Sequence, residues 1–217
     1  MGPFLYLVAF GYGLGRGMTM DGVSYIEFVI PGIMALTAMN TSFNGAGIKL
    51  NVDRLYNRSF DEFLMAPVGQ VPLILGKSLI GIMRGLIVAV IFMLIGFSAA
   101  GMQISVILVL VLILECVVFA QMGVLAALLA RKHQDMAAFS SVVVMPMSFL
   151  GGTFFSMANL PDWLQGLISL LPLTHASQCL RAEALGNPFP WLSLGILIAF
   201  GLVFFAGSIT ALHRYNA

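Results

Sequence analysis

Four stretches of this sequence, Phe28 to Ile48, Gly85 to Leu114, Met136 to Pro161 and Pro188 to Leu212, carry no charged residue. A helix needs about 20 residues to cross roughly 30 Å of hydrocarbon, and each stretch is long enough. Only helices and closed barrels satisfy their backbone polar groups inside a bilayer. Barrel strands alternate apolar and polar residues over about ten positions, and these stretches do not alternate. Composition agrees: 60% of the 217 residues are hydrophobic, 9% are charged, and mean hydropathy is +1.01. An average soluble domain carries about 25% charged residues. The few charges here could not keep a water-facing surface soluble. The net charge of +1 excludes a strongly basic nucleic-acid binder, and two Cys exclude a disulfide scaffold. The fold class is therefore an all-α polytopic membrane bundle.

Charge clusters and Gly, Pro and Asn divide the chain into six expected spans: Gly2 to Leu14, Phe28 to Ile48, Gly76 to Phe97, Ile104 to Ala130, Met136 to Phe155 and Trp191 to Leu212. At 1.5 Å per residue the first reaches only about 20 Å, so it reads as a truncated first helix. Orientation follows from the basic residues. With the 49–76 connection inside, Lys49, Arg54, Arg58, Lys77, Arg84, Arg131, Lys132 and Arg214 lie at or near the cytoplasmic side, and Arg16 and Arg181 outside. Both termini are then expected to be cytoplasmic.

Two connections are more than turns. The inner one, "KLNVDRLYNRSFDEFLMAPVGQVPL", holds Lys49, Asp53, Arg54, Arg58, Asp61 and Glu62. Leu55, Phe60, Phe63 and Leu64 recur among these charges at roughly helical spacing, and Pro67 ends the pattern. That fits a short amphipathic helix at the inner interface, or a solvated loop that only fixes topology. In the outer one, Leu160, Trp163, Leu164, Leu167, Ile168 and Leu171 follow i, i+3, i+4, i+7, i+8 and i+11. This predicts an amphipathic helix of about three turns, which Pro172 breaks, with Thr174 to Leu185 forming a second. The pair is either a cap over an outward opening or a passive interfacial belt.

No catalytic constellation is visible. "GYGLG" at Gly11 to Gly15 ends a membrane segment instead of joining a strand to a helix, so it is no dinucleotide loop. His133, His175 and His213 lie in three separate places, with no second ligand at metal spacing. Arg84 and Glu115 are the ionisable residues expected at membrane depth, where such groups are functional candidates. If the third and fourth spans form a hairpin, the two differ in depth by about 5 Å. They read either as a structural ion pair, or an Arg that snorkels to the inner headgroups, or as polar contacts in a substrate path. Gly81 and Gly85, four apart, would let helices approach closely.

Three segments carry a family resemblance: "FVIPGIMA" opening the second span, "DEFLMAPVGQVPLILGKSL" after it, and "MPMSFLGGTFFSMANLPDWLQGLISLLPLTHASQCLRAEALG" near the end. In order and spacing they resemble the membrane subunit of the ABC-2 type of ATP-binding cassette transporters, nearest to the nodulation-factor and drug-export branch. The resemblance covers essentially the whole chain as a single transmembrane domain. It implies six spans per subunit, two permease subunits lining a pathway, and two cytoplasmic ATPase subunits that use ATP and Mg; this chain itself would bind no cofactor. Carried onto this sequence, Asp53 to Pro67 looks like the coupling element against the ATPase, with Arg54, Arg58, Glu62 and Pro67 as its key residues. Leu160 to Leu185 resembles the re-entrant helices that close the outer mouth, with Leu160, Trp163, Leu167 and Pro172 at that gate. Family members usually begin with a cytoplasmic amphipathic helix and a complete first span, whereas this chain opens inside that span, so it reads either as a fragment with a misassigned start or as a divergent subunit.

The implied function is export of an amphipathic, lipid-linked, glycolipid or drug-like substrate across the bacterial inner membrane, without enzymatic chemistry in this chain. An ATP-independent secondary transporter or channel, a lipid-modifying enzyme and an inactive truncated permease are the alternatives.

Overall fold

The computed structural model describes residues 8, 19–20, 22–57, 60, 65, 69–155 and 160–216. Apart from Val8, the expected first span lies outside the described residues, as do Arg58, Glu62 and Pro67. A minimal hairpin, β1 (Thr19–Met20) and β2 (Val23–Ser24), leads into the bundle, with Gly22 in the turn at φ 82°.

Four helices among the described residues are long and apolar enough to cross a membrane. They are α1 (Tyr25–Leu55), α2 (Gln70–Ala100), α3 (Val106–Leu129) and the last one, Trp191–Asn216. α1 runs past the charge-free stretch at both ends. Its charged last turns stay helical because they are paired: Lys49 and Lys77 hold Asp53 at 2.9 and 3.0 Å. The α2–α3 connection is short, closed by Gly101 in the left-handed region and by Ser105, whose hydroxyl caps α3 by accepting from the Leu108 amide at 3.0 Å. That makes α2 and α3 the expected antiparallel hairpin.

The fifth expected span, Met136 to Phe155, is a composite. α4 (His133–Phe139) continues without a break through a π turn (Ser140–Val144) into α5 (Met145–Leu150). The Met145 amide bonds the Ser140 carbonyl, five residues back, and Pro146 supplies no amide to the next turn. Proline loosens the ladder, and the π turn takes up the slack.

In the outer connection α6 (Asp162–Ile168) is shorter than the expected three turns. The apolar repeat reaches Leu171, but Ser169 to Leu171 form a turn because Pro172 starts the next helix, α7 (Pro172–Leu185), at its first position. The last long helix is α8 (Trp191–Asn216).

α1 sits at the centre, packed by α2 on one side and α3 on another, and Phe28 through Met39 are buried without interruption. Glycine permits this closeness. A Cβ on Gly81 would stand 2.7 Å from the Ala46 Cβ, and one on Gly85 would press on Ser42 and Cys116, as the spacing of the two glycines predicts. α8 packs on α3 and α7 at the periphery. Leu79, Met83, Ile87 and Leu94 form an exposed row along α2. Each would cost roughly 1.5–3 kcal/mol to leave in water, which assigns that face to lipid.

Candidate functional site

Inside a bilayer a polar side chain normally faces the protein interior or a water-filled space. α1 breaks that rule on one face. Thr37, Asn40, Thr41 and Asn44 follow i, i+3, i+4 and i+7, and with Gly45, Ile48, Lys49, Val52 and Arg84 they line an open groove of about 550 Å³. A second groove of about 360 Å³ is bounded by Leu36 and Asn40 of α1, by Ser140, Ser141 and Val144 of the π turn, and by Met145, Ser148, Phe149 and Phe154. Asn40 belongs to both, so the two form one lane along α1. Asn40 donates to the Leu36 carbonyl at 2.9 Å and to the Ser148 hydroxyl at 3.4 Å, and Asn44 donates to the Asn40 carbonyl at 2.8 Å. Ser148 in turn donates to the Val144 carbonyl at 2.7 Å. Asn40 and Ser148 thus spend their donors on protein groups, while the Thr41 hydroxyl and one amide hydrogen of Asn44 remain, with the acceptor oxygens, to wet the lane. This stripe was absent from the sequence reading. Its signal, four polar residues at helical spacing within an uncharged span, was there to be found.

Arg84 and Glu115 are not brought together. Among the described residues the side-chain ion pairs are Lys49–Asp53 and Lys77–Asp53. Arg84 is exposed on the groove, about 10 Å further along α2 than Lys77. An Arg near the middle of a membrane helix costs about 2.5–3.5 kcal/mol on insertion scales, so its position needs an explanation. Glu115 is 0% exposed, and neither carboxylate oxygen accepts a hydrogen bond. It lines neither groove. The hairpin set their depths but not their azimuths, and the two side chains leave their helices on different faces.

At the Leu55 end of α1, Arg54 turns toward α3. Its guanidinium donates to the carbonyls of Ala127 at 2.6 Å, Leu128 at 2.7 Å and Ala130, closing the carbonyl end of α3. His133 Nδ1 donates to the Asn51 side chain at 2.9 Å. Asp135 accepts the backbone amides of Lys132 and Arg131, at 2.9 and 2.8 Å, which hold its carboxyl below the ordinary value. The base of α1 and the 130–132 turn are therefore one unit. Phe60 is buried against Leu50, Leu73, Ile74 and Leu128, anchoring the charged connection under the bundle.

At the outer end the expected gate residues separate. Trp163 is 73% exposed and Leu167 is also exposed, whereas Leu160 is half-buried and Pro172 is buried at the start of α7. Ala176 packs against Val118 and Leu197, deep within α3 and α8. Thr174 donates to the Ile168 carbonyl at 2.9 Å and His175 to that of Ser169 at 2.8 Å, tying α7 to α6. Arg181 lies over the Phe28 ring at 3.8 Å and donates to the Gly152 carbonyl at 2.8 Å. Among the described residues no group of three or more His, Cys, Asp or Glu is placed to hold a metal.

Comparison with known proteins gives a consistent answer. Inner membrane transport permease YadH of Escherichia coli K12 is 29% identical over 206 residues, covering 93% of this chain and 80% of its own length. Nodulation protein J of Rhizobium meliloti is 29% identical over 226 residues, covering 98% and 83%. Daunorubicin resistance ABC transporter permease protein DrrB1 of Streptomyces coeruleorubidus is 28% identical over 213 residues, covering 93% and 72%. The family model described as "ABC-2 type transporter" matches residues 1–184, and this chain belongs to the ABC-2 type transporter family.

Proposed function

We propose that this chain is the permease subunit of an ATP-driven exporter, in which two copies enclose the transmembrane pathway and two cytoplasmic ATPase subunits consume ATP and Mg. The observation that carries this reading is the lane along α1, where the half-buried Asn40, Thr41 and Asn44 line grooves that open on the surface of a single subunit. A second copy laid against that face turns two open grooves into an enclosed path. The exposed Val142 and Val143 of the π turn, and Met145 after it, supply apolar contact for such a seam.

The coupling segment then works through the base of α1. A push on Arg58, Glu62 and Pro67 by the ATPase reaches Arg54, which is bonded to the end of α3, so α1, α3 and the start of α4 shift together and change the width of the lane. α6 and α7 act as a re-entrant pair closing the outer mouth, with Leu160, Trp163, Leu167 and Pro172 at the gate; the packing of Ala176 on Val118 supports their entry into the membrane. The cargo is amphipathic, lipid-linked, glycolipid or drug-like, and the chain resides in the bacterial inner membrane with both termini cytoplasmic. Purification from the native membrane should bring down an ATP-binding subunit, and transport should stop on ATP depletion. Transport that persists after depletion, with no ATPase attached, would sink the proposal.

A further inference from the structure

The geometry points to an anion-selective subsite in the groove between α1 and α2, centred on Arg84, that takes the phosphate headgroup of a membrane amphiphile. This rests on the pathway reading above, which leaves the charge of the cargo open. Three features carry it. First, Arg84 is seated, not merely exposed: its Cδ and Cβ lie 3.2 and 3.6 Å from where a Cβ on Gly45 would stand, so the missing side chain at Gly45 lets the arginine stem lie across the face of α1. Second, Arg84 makes no side-chain hydrogen bond or ion pair among the described residues, and the carboxylate at membrane depth that might have neutralised it, Glu115, is sealed elsewhere. Third, the groove lining contains two cations, Lys49, which pairs with Asp53 at 2.9 Å, and Arg84, and no Asp or Glu.

A guanidinium fork matches phosphate oxygens bidentately, and the low dielectric of the membrane strengthens the contact. The Thr41 hydroxyl and the second amide hydrogen of Asn44 can donate beside it. The tails have a place as well. Ile48 at the rim and Ile80, Met83 and Ile87 flanking Arg84 on α2 are exposed and apolar, so the groove opens sideways onto lipid. A charged head in the lane and chains in the bilayer is an arrangement that free phosphate cannot exploit.

The test uses the full chain, purified with whatever subunits accompany it, in phosphatidylcholine nanodiscs without ATP. A fluorescent short-chain phosphatidic acid is the probe, read by anisotropy. Saturable binding is expected, displaced by dodecyl phosphate but not by equal concentrations of dodecyltrimethylammonium or inorganic phosphate. Arg84→Gln should weaken binding at least tenfold and Arg84→Lys by a smaller factor, with unchanged melting temperature. Should R84Q not be recovered folded, R84M removes the charge in a lipid-compatible form and carries the same expectation. Equal binding by either neutral variant, equal displacement by the cationic amphiphile, or displacement by inorganic phosphate alone overturns the assignment. Because the measurement needs no nucleotide, its failure is separable from absence of an ATPase partner.

Discussion

The guanidinium of Arg54, on the last turn of α1, lies 2.6 Å from the carbonyl oxygen of Ala127, in the last turn of α3. Charged hydrogen bonds of this kind contribute about 1.5–3 kcal/mol, and here they also satisfy carbonyls that a helix end leaves orphaned. Arg54→Ala should therefore lower the melting temperature of the purified protein, by an amount equivalent to about 1–3 kcal/mol. It should also reduce transport more than ATP hydrolysis in the assembled complex, since the link between the coupling segment and α3 is lost. Arg54→Lys, which keeps the charge but not the fork, should fall between.

Gly81→Ala and Gly76→Ala form a matched pair on α2. The first places a methyl 2.7 Å from the Ala46 Cβ and 2.9 Å from its backbone nitrogen, whereas the second meets nothing within 4 Å. Overpacking costs about 1–3 kcal/mol, while alanine in an open helix position is favoured over glycine by about 1 kcal/mol. Thermal unfolding in detergent should move down for G81A and be unchanged or move up for G76A.

Glu115 separates a buried relic from a working group. A carboxylate with no hydrogen-bond partner gives little back for its burial, so Glu115→Met should be neutral or stabilising. Glu115→Gln should leave transport at wild-type rates. A transport defect in E115Q at normal protein level would instead revive the ion-coupled alternative.

Asp135 gives a pH prediction. The amides of Lys132 and Arg131 lower its value in the folded state, so its contribution to ordering the α3–α4 turn is complete above the unfolded carboxyl value and is lost as pH falls through the lowered one. Hydrogen exchange at those two amides should be slow at neutral pH, faster at strongly acid pH after correction for intrinsic rates, and fast throughout in D135N.

Much of this was legible in the sequence. The spans expected at Phe28 to Ile48, Gly76 to Phe97, Ile104 to Ala130 and Trp191 to Leu212 fall on α1, α2, α3 and α8, and Pro172, expected to break the outer helix ahead of a second one from Thr174, itself begins α7. What escaped depends on azimuth, which hydropathy does not encode. Whether Arg84 faces Glu115 or the α1 groove is decided by where Gly45, Gly81 and Gly85 let the helices touch. The sequence likewise does not reveal that the carbonyls of Ala127 and Leu128 end beside Arg54. The π turn was invisible for a related reason: proline marks a disturbed ladder, but the choice between a kink and a wider turn is made by packing.

The centrality of α1 has a consequence for how the chain is made. It carries Thr37, Asn40, Thr41 and Asn44 along one face and is the least apolar of the four long helices, yet it precedes the helices that enclose it. Released alone into lipid, it would offer that wet face to hydrocarbon and leave the bilayer easily. It should linger at the insertion machinery until α2 and α3 bring Gly81 and Gly123 against it. A chain with α1 as its one membrane segment should then be extractable by alkaline carbonate, and one that adds α2 and α3 should resist it.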